Sequence, residues 1–380
     1  MKNPRRKRTG YHRIGLGKPH IQTLPKSEVI YENAVTAAGW ERVKMESYDV
    51  IIVGAGPAGL RCAEALGDTD FSVLLLEQKD SVGHKACAGG LRLPAGYLTV
   101  PANFTATFGS HHFVLNGKEH LITLRKSLHI VDRPDLGQYQ LGLTRKYRNI
   151  AVETGACVRH LDNYCVVLEG DRKISFKYLV GADGSNSKVR GYLGLANRIY
   201  RGIQYVIPGN HDKLVWFFSP DLLGSGYGWI FPHKTFTSAG VFFNPDLISA
   251  KRARKGLDKL LLAYGLDFAA AKLEGASVNC LYKGVKFDNI FLAGDAAGLA
   301  SACTGEGIVY AIVSGDDVAR HIIDSTYCFD GIKQLLRYKR RQEAILSIFD
   351  KLPRYQSSLF KIFISLLKRP AFQKFYSGDF

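Results

Sequence analysis

The sequence of 380 residues lacks the cysteine and apolar patterns that mark several protein classes. Its seven cysteines are widely spaced and include no Cys-x-x-Cys pair, which argues against a disulfide framework, a zinc site and a cysteine-ligated cluster. No apolar run reaches the roughly 18 residues of a membrane-spanning helix, and no signal-peptide pattern occurs at the start. We therefore expect no metal site and a cytoplasmic location, where thiols stay reduced.

Acidic side chains are scarce at both ends of the chain, so the net charge of +17 is concentrated there. Residues 1–44 carry +7 and residues 333–380 carry +8, which leaves the long middle section nearly neutral. A charge confined to the ends favours surface attachment or steering of a partner over a basic binding cleft. We therefore expect no nucleic-acid partner.

Methionine is also rare and occurs only at positions 1 and 45. Residues 1–45 have no clear hydrophobic period and precede the first strongly predicted strand, so they are interpreted as a basic N-terminal extension. Met45 lies just before the point at which a nucleotide-binding domain normally begins. Two interpretations remain open: an extension from a misplaced start, and a genuine disordered tail.

A glycine-rich turn follows that strand. The stretch Gly54-Ala-Gly56-Pro57-Ala58-Gly59 lies between the apolar strand Val50–Val53 and a predicted helix. In such a turn the first glycine allows the bend, the second lets a pyrophosphate approach, and the third lets helix and strand pack closely. Glu77 ends the next strand, at the spacing that suits an adenosine ribose. The predicted dinucleotide site consists of Gly54, Gly56, Pro57, Ala58, Gly59 and Glu77.

A second glycine-rich segment identifies the dinucleotide as FAD. Leu292-Ala-Gly294-Asp295-Ala-Ala-Gly298 also follows a predicted strand, and Asp295 suits a ribityl hydroxyl. Gly305-Glu306-Gly307-Ile308 then offers backbone N–H groups, at a helix start, to the polar edge of a flavin. A nicotinamide dinucleotide alone needs no second platform, so the two segments together predict one doubled-back FAD.

Two further residues are candidates for the same cofactor. Asp183 follows another predicted strand and either caps the next helix or touches the cofactor. Arg133 opens a predicted helix over residues 134–153, and it either pairs with a phosphate or sugar oxygen or is a surface charge.

Five stretches of residues 46–350 together resemble the geranylgeranyl reductase family of FAD-dependent enzymes. They are Val53–Leu60, Lys85–Leu91, Val180–Ser185, Tyr227–Pro232 and Gly294–Ile308. The resemblance implies a fold like that of para-hydroxybenzoate hydroxylase and the saturation of isolated double bonds in prenyl chains. Ala86, Ala88, Gly224 and Ala302 depart from the usual family pattern. These departures place the chain in an outlying branch and weaken the substrate assignment more than the cofactor assignment.

The resemblance also places a glycine-rich loop beside the flavin ring. On this loop Gly89 and Gly90 let the backbone approach a planar ligand. Cys87 then either tunes the flavin, shapes the substrate end of the site, or is a small buried thiol.

Tyr227, Trp229 and Phe231 alternate along a predicted strand and therefore share one face. The residues alone favour a plain aromatic core, whereas the resemblance favours a substrate wall that Pro232 completes. Reduction of an unactivated alkene needs a proton as well as a hydride, and Tyr227 is a candidate to supply or relay that proton. Aromatic faces would stabilise developing positive charge by roughly 0.5–2 kcal/mol each. The catalytic candidates are Cys87, Tyr227 and Trp229.

The order of the predicted elements gives an α/β fold with a Rossmann-like FAD-binding domain. This domain is discontinuous and consists of residues 46–110, 131–195 and 285–325. An inserted antiparallel β-sheet substrate domain consists of residues 111–130 and 196–284. Residues 326–380 form C-terminal helices and a basic amphipathic tail, which either packs on the protein or lies in a membrane interface.

The sequence therefore predicts an FAD-dependent reductase that adds hydride from reduced flavin to the double bonds of a geranylgeranyl lipid. NAD(P)H and a reduced ferredoxin, steered by the basic ends, are both open as electron donors. Two other functions also remain open: a flavin monooxygenase or halogenase, and a flavin electron carrier to a quinone. Peripheral attachment to the inner face of the membrane is a further open alternative.

Overall fold

The computed structural model describes residues 30–36, 39–92, 96–162, 164–209 and 211–377, with backbone only for residues 30–44 and 377. Most of the predicted N-terminal extension, residues 1–45, therefore lies outside the described residues, and both interpretations of it stay predictions.

The strands follow the chain in this order. They are β1 (Ile30–Thr36), β2 (Gly39–Val53), β3 (Val73–Glu77), β4 (Gly90–Leu91), β5 (Thr105–Leu115), β6 (Lys118–Val131), β7 (Ile150–Thr154), β8 (Val158–Asp162), β9 (Cys165–Leu168), β10 (Lys173–Gly181), β11 (Ile199–Pro208), β12 (Val215–Phe218), β13 (Tyr227–Pro232), β14 (Phe236–Phe243), β15 (Lys272–Asn279), β16 (Lys286–Phe287) and β17 (Ile290–Leu292).

The α-helices are distributed between these strands and at the C-terminal end. They are α1 (Pro57–Ala65), α2 (Arg133–Thr144), α3 (Lys188–Tyr192), α4 (Pro220–Leu223), α5 (Ala250–Ala263), α6 (Ile308–Ile323), α7 (Asp330–Lys351), α8 (Gln356–Leu367) and α9 (Pro370–Ser377).

The first sheet has a parallel centre in the order β17-β10-β2-β3-β7, which antiparallel pairings of β1, β8, β9 and β16 extend to nine strands. Val53 pairs with Gly181, and Gly181 pairs with Leu292, so the ends of β2, β10 and β17 are direct neighbours. Because parallel strands run in the same direction, the turns that follow these three strands meet at one edge of the sheet.

Both faces of this sheet are covered, as a parallel sheet requires. Alternate residues of β2 enter two different cores: Val50 and Ile52 join one, and Ile51 and Val53 join the other. α1 and α6 pack against each other so closely that a Cβ atom on Gly315 would lie 2.2 Å from the Ala58 carbonyl oxygen. This contact fixes the starts of both helices beside the carboxyl edge of the sheet.

The second sheet has eight strands in the order β15-β11-β14-β13-β12-β5-β6-β4. Its pairings are antiparallel except for that of β12 with β5. One face packs on α5 through an aliphatic core. The other face is aromatic and packs on α7 and α8.

The fold is mixed α/β, as predicted, but one predicted element is wrong in its second half. The helix expected over residues 134–153 ends at Thr144, and Ile150–Thr154 is the edge strand β7. β7 pairs with β3 and is half-buried, so its apolar spacing mimics a helical stripe. The proposed domain division stays a prediction; its boundary at residue 111 falls within β5.

Among the described residues, no helix combines the length and apolarity that crossing a bilayer requires. In the same part of the chain, no group of three or more His, Cys, Asp or Glu side chains could hold a metal ion.

Candidate functional site

A cavity of about 790 Å³ lies between the carboxyl edge of the parallel sheet and the aromatic face of the second sheet. Its lining includes Gly54 and Asp183 from one edge, Gly294 from the turn before α6, and Tyr227 from β13. Every residue predicted for the site lines this cavity except Gly59 and Pro232. Segments more than 200 residues apart in sequence are therefore brought to one place.

The glycine-rich turn between β2 and α1 has the geometry that the sequence predicts. Gly54 adopts a φ of +102° and donates its N–H to the Leu76 carbonyl oxygen at 2.7 Å. A Cβ atom on Gly59 would lie 1.9 Å from the Gly54 carbonyl oxygen, so this position requires glycine for packing rather than for contact with a ligand. A Cβ atom on Gly56 would meet nothing within 4 Å, which leaves open space in front of the helix start.

Glu77 reaches this turn from the end of β3. One carboxylate oxygen accepts the Ala55 N–H at 2.9 Å, and the other accepts the Lys79 N–H at 3.0 Å. Glu77 therefore holds the glycine-rich turn in place, a role that the sequence did not reveal. Its contact with a ribose stays a prediction.

The second glycine-rich segment lies directly beside the first, since a Cβ atom on Gly294 would lie 3.3 Å from the Cβ atom of Ala58. Gly294 has a φ of +59° and donates its N–H to Ser314 Oγ at 2.8 Å. Asp295 forms an ion pair with Lys85 Nζ at 2.7 Å, and a Cβ atom on Gly307 would lie 3.4 Å from Asp295 Oδ1. The Gly305–Gly307 turn, Asp295 and the Lys85 loop thus form one continuous platform.

Two buried polar groups beside the cavity lack partners among the described residues. Arg133 is 8% exposed, its Nη1 atom makes no hydrogen bond, and burial lowers the pKa of its guanidinium. Asp183 caps α3 by accepting the Lys188 N–H at 2.7 Å, but its Oδ1 atom is unpartnered. An unpaired buried cation costs stability unless a ligand completes its hydrogen bonds. A phosphate at Arg133 and a hydroxyl at Asp183 would do so, and both groups occur in FAD.

The predicted flavin-facing loop also lies on the cavity. Cys87 Sγ accepts the Gly89 N–H at 3.4 Å, and Gly89 has a φ of +78°. A Cβ atom on Gly89 would lie 2.4 Å from the Val131 carbonyl oxygen, so the loop follows β6 closely. Opposite this loop, a Cβ atom on Gly305 would lie 3.0 Å from the Tyr227 hydroxyl. Glycine at both positions permits the close approach of the backbone.

Tyr227, Trp229 and Phe231 form an aromatic wall on one face of β13, whereas Pro232 does not belong to it. Side chains alternate along a strand, so Pro232 does not share the face of Phe231, and its contact with a substrate stays a prediction. Trp229 Nε1 donates to Ser238 Oγ at 2.9 Å. Tyr227 donates its hydroxyl to the Thr304 carbonyl, and burial raises the pKa of Tyr227 far above its usual value. Tyr227 is therefore a poor acid.

Sequence reasoning missed two members of this wall. The ring centroid of Trp216 lies 4.8 Å from that of Phe231, and Trp216 Nε1 donates to His111 Nδ1 at 3.1 Å. Burial and the nearby charge of Arg92 lower the pKa of His111 to about 4, although the Phe108 carbonyl opposes that shift. The alternation Val215–Phe218 could have revealed Trp216, but no local signal marks His111.

The C-terminal helices form the remaining wall of the cavity. Phe360 of α8 stacks on Phe218 with ring centroids 4.5 Å apart, and Tyr376 of α9 contacts Cys303 Sγ at 3.4 Å. Gln373 accepts the Arg125 N–H at 2.8 Å and donates to the Thr123 carbonyl oxygen at 3.2 Å. The tail therefore packs on the protein and closes the cavity.

Comparison with known proteins agrees with this site. The model of the Thi4 family matches residues 33–105, the segment that contains the first glycine-rich turn. A digeranylgeranylglycerophospholipid reductase of Methanococcus vannielii is 24% identical, over 80% of this chain and 85% of its own. An uncharacterized protein of Methanosarcina barkeri is 29% identical, over 78% and 81% of the two chains. A geranylgeranyl bacteriochlorophyll reductase-like protein of Thermoplasma acidophilum has the same fold, with a TM-score of 0.71 and 19% identity over 86% and 92% of the chains.

The chain is similar to members of the geranylgeranyl reductase family. It is an FAD-dependent oxidoreductase, and the two glycine-rich turns that converge on one cavity fit that cofactor.

Proposed function

We propose that this protein saturates carbon–carbon double bonds in the prenyl chain of a lipid. The observation that carries the proposal is the continuity of the cavity: glycine-rich turns line one end, and aromatic side chains of β12 and β13 line the other. Bound FAD, once reduced, would supply the hydride. A dry aromatic channel beside it suits an isoprenoid, which offers no polar atoms along its chain.

The residues of the chain have three tasks in this proposal. Arg133 and the N–H groups at the starts of α1 and α6 bind and orient the cofactor. Trp216, Tyr227 and Trp229 exclude water and face the prenyl chain. Their rings would stabilise positive charge on the alkene as a proton arrives, by roughly 0.5–2 kcal/mol each.

The test is anaerobic incubation of the reduced holoprotein with geranylgeranyl lipids, followed by mass spectrometry. We expect mass gains of about 2 for each double bond reduced. The Trp229→Leu variant tests the role of the ring. It keeps an apolar side chain in the wall but removes the aromatic face, so it should reduce the lipid more slowly than wild type. Oxygen-dependent hydroxylation with no mass gain of this kind would instead favour the monooxygenase class, and electron transfer to a quinone with no change in any lipid would favour the carrier.

We also propose that the electron donor is either NAD(P)H or a small acidic protein such as ferredoxin. The exposed face of α7 carries Arg337, Arg340 and Arg341, while Leu335 of the same helix is buried and lines the cavity. An acidic donor on that face would approach the flavin across one helix. The rate at which each donor reduces the flavin, followed by bleaching of its absorbance at low and at high salt, distinguishes the two donors. High salt should strongly slow flavin reduction by the protein donor only.

We further propose that the tail contacts a membrane through its exposed side. On α8, Ile362 is 56% exposed and lies beside exposed Lys361 and near Lys368. Removal of the whole tail is an unsuitable test, because Phe360, Ile364 and Leu367 are buried in the core. The Ile362→Glu variant should float less with anionic liposomes, whereas Leu262→Glu, at a position on α5 that is 70% exposed, should not. Equal flotation of both variants would contradict membrane contact.

A further inference from the structure

The reduction of an isolated alkene requires an acid, and few titratable groups at the aromatic end of the cavity can act as one. Burial raises the pKa values of several phenols and of one thiol, and it keeps the imidazole neutral. These groups are Tyr227, Tyr310, Tyr376, Cys303 and His111. A phenol or thiol with a raised pKa gives up its proton less readily, and a neutral imidazole is a still weaker acid.

The carboxyl groups on the cavity differ in their surroundings. Asp295 is already paired with Lys85 Nζ at 2.7 Å. Asp183 caps α3, and its backbone lies against Gly54 at the dinucleotide turn rather than at the aromatic wall. Glu77 accepts two backbone N–H groups at the dinucleotide turn, away from the aromatic wall. Among the described residues, Glu306 is the carboxyl group of the cavity lining whose turn lies against Tyr227.

Glu306 lies in a tight turn that fixes it beside the wall. Ser301 donates its N–H to the Glu306 carbonyl oxygen at 3.0 Å, and Glu306 donates its own N–H to Thr304 Oγ1 at 3.3 Å. The preceding residue, Gly305, is so close to the Tyr227 hydroxyl that a Cβ atom would lie 3.0 Å from it. The turn thus brings a carboxyl group to the point where the flavin platform meets the aromatic wall.

The electrostatic surroundings of Glu306 come from several elements. Burial raises the pKa of its carboxyl, and the guanidinium of Arg92, just after β4, opposes the shift. Tyr227 of β13 and Tyr310 of α6 line the same cavity. Asp295 lies on the other side of Gly307. A carboxyl whose pKa is raised by burial keeps its proton to a higher pH than an exposed glutamate does.

We propose that Glu306 is the catalytic acid that protonates the alkene, an inference that rests on the proposed function. The proton leaves a carboxyl oxygen of Glu306 and forms a C–H bond to one alkene carbon with the π electron pair. Bound, reduced FAD would supply the hydride for the other carbon and, with it, the two electrons that reduce the alkene. The Glu306 carboxylate then takes up a proton from water.

The test compares wild type with Glu306→Gln, which keeps the shape of the side chain, and with Glu306→Asp, which keeps the acid. We expect Glu306→Gln to bind FAD with unchanged absorbance and to lose turnover by about 10²–10⁴-fold, the usual contribution of a general acid. Glu306→Asp should recover part of that loss. Wild-type turnover should fall as pH rises through the pKa of Glu306, and Glu306→Gln should lack that limb.

A readout that does not depend on turnover is the infrared carbonyl stretch of a protonated carboxylic acid in the oxidised holoprotein. It should be present at neutral pH in wild type and absent in Glu306→Gln, while Glu169→Gln, at an exposed position after β9, serves as the matched control.

The outcomes separate the two proposals. A wild-type protein that reduces no prenyl lipid overturns the proposed function and this inference with it. An active wild type with an equally active Glu306→Gln, or with no carboxylic acid band, overturns this inference alone. The loss of turnover in Cys87→Ser but not in Glu306→Gln would assign the acid to Cys87 instead.

Discussion

The two sheets of this protein contribute to the cavity in opposite ways. At the edge of the parallel sheet the lining turns are made of glycine: Gly56 leaves open space in front of a helix start, whereas Gly54 and Gly294 permit left-handed turns packed against neighbouring backbone and side chains. The second sheet fills its side with large rings, of which Trp216, Tyr227 and Trp229 are buried or half-buried. The proposed cofactor would therefore meet mainly backbone groups, whereas the opposite wall is shaped by side chains. Changes at one end should leave the other end largely intact.

The largest expected effect is at the closest approach on the cofactor side. In Gly59→Ala the new Cβ atom would lie 1.9 Å from the Gly54 carbonyl oxygen, so α1 must shift away from β2. We expect a loss of about 3 kcal/mol or more in the free energy of unfolding and a protein purified without flavin. Absorbance near 450 nm and chemical denaturation measure the two effects.

Gly142→Ala is the control for that variant, since a Cβ atom there would meet nothing within 4 Å. It lies within α2, where alanine should stabilise the helix by roughly 0.5–1 kcal/mol. A Gly59→Ala protein with a full flavin complement would contradict the view that the cofactor end depends on the absence of a side chain there.

Arg133→Met should have opposite effects on the stability of the apoprotein and on the binding of FAD. Because Arg133 is buried with an unpartnered Nη1, its removal should stabilise the apoprotein by about 1–3 kcal/mol. The same change should weaken FAD binding by roughly 10–100-fold, since a charge-assisted hydrogen bond is lost. Thermal denaturation with and without FAD measures the change in stability, and fluorescence titration of FAD measures the change in affinity. Destabilisation of the apoprotein would show that Arg133 has a structural role instead.

His111 makes the aromatic end sensitive to acid. Its folded-state pKa, about 4, lies below the ordinary value of 6.5, so the unfolded chain takes up a proton first as the pH falls. Stability should therefore be lost as the pH falls from about 6.5 to about 4, by roughly 2 kcal/mol between pH 7 and pH 5. His111→Gln should lack this part of the pH dependence, whereas His160→Gln, at an exposed position, should retain it. Urea denaturation of wild type and both variants at pH 7 and pH 5 measures the free energies of unfolding that test this expectation.

The smallest expected effect concerns the support behind the aromatic wall. In Gly240→Ala the new Cβ atom would lie 2.3 Å from Trp229 Cζ2 and 2.5 Å from the Ile203 carbonyl oxygen, so the indole and the neighbouring strand must shift. We expect a loss of about 1–2 kcal/mol in unfolding free energy, unchanged flavin absorbance, and a raised KM for the lipid. Gly202→Ala is the matched control, because its Cβ atom would make an ordinary contact at 3.7 Å with the same ring. A loss of flavin in Gly240→Ala would show that the two ends are coupled.

The sequence predicted the cofactor end in more detail than the opposite wall, and the reason is physical. The turns at Gly54 and Gly294 are local: strand, glycine and helix start follow one another within a few residues. Their convergence follows from the rule that parallel strands end at one edge. The motif also predicted that Gly59 allows the helix to pack closely on the strand.

The aromatic wall depends instead on pairings between distant segments. His111 lies on β5 and reaches Trp216 because β5 pairs in parallel with β12, about 100 residues later in the chain. No periodicity within either strand reveals that pairing. The same limit explains the helix wrongly extended to residue 153, since β7 is recognisable as a strand only through its partner β3.

The interleaving of the parallel sheet has a consequence for how the protein is made. β10 and β17 complete the edge begun by β2, and α6 lies against α1, so the FAD-binding edge joins early and late parts of the chain. During synthesis the first glycine-rich turn leaves the ribosome long before β10, β17 and α6 do. Until these elements follow, the sheet edge is incomplete and the turn has no complete binding site. The supply of FAD should therefore influence the yield of folded protein at the end of translation rather than at its start.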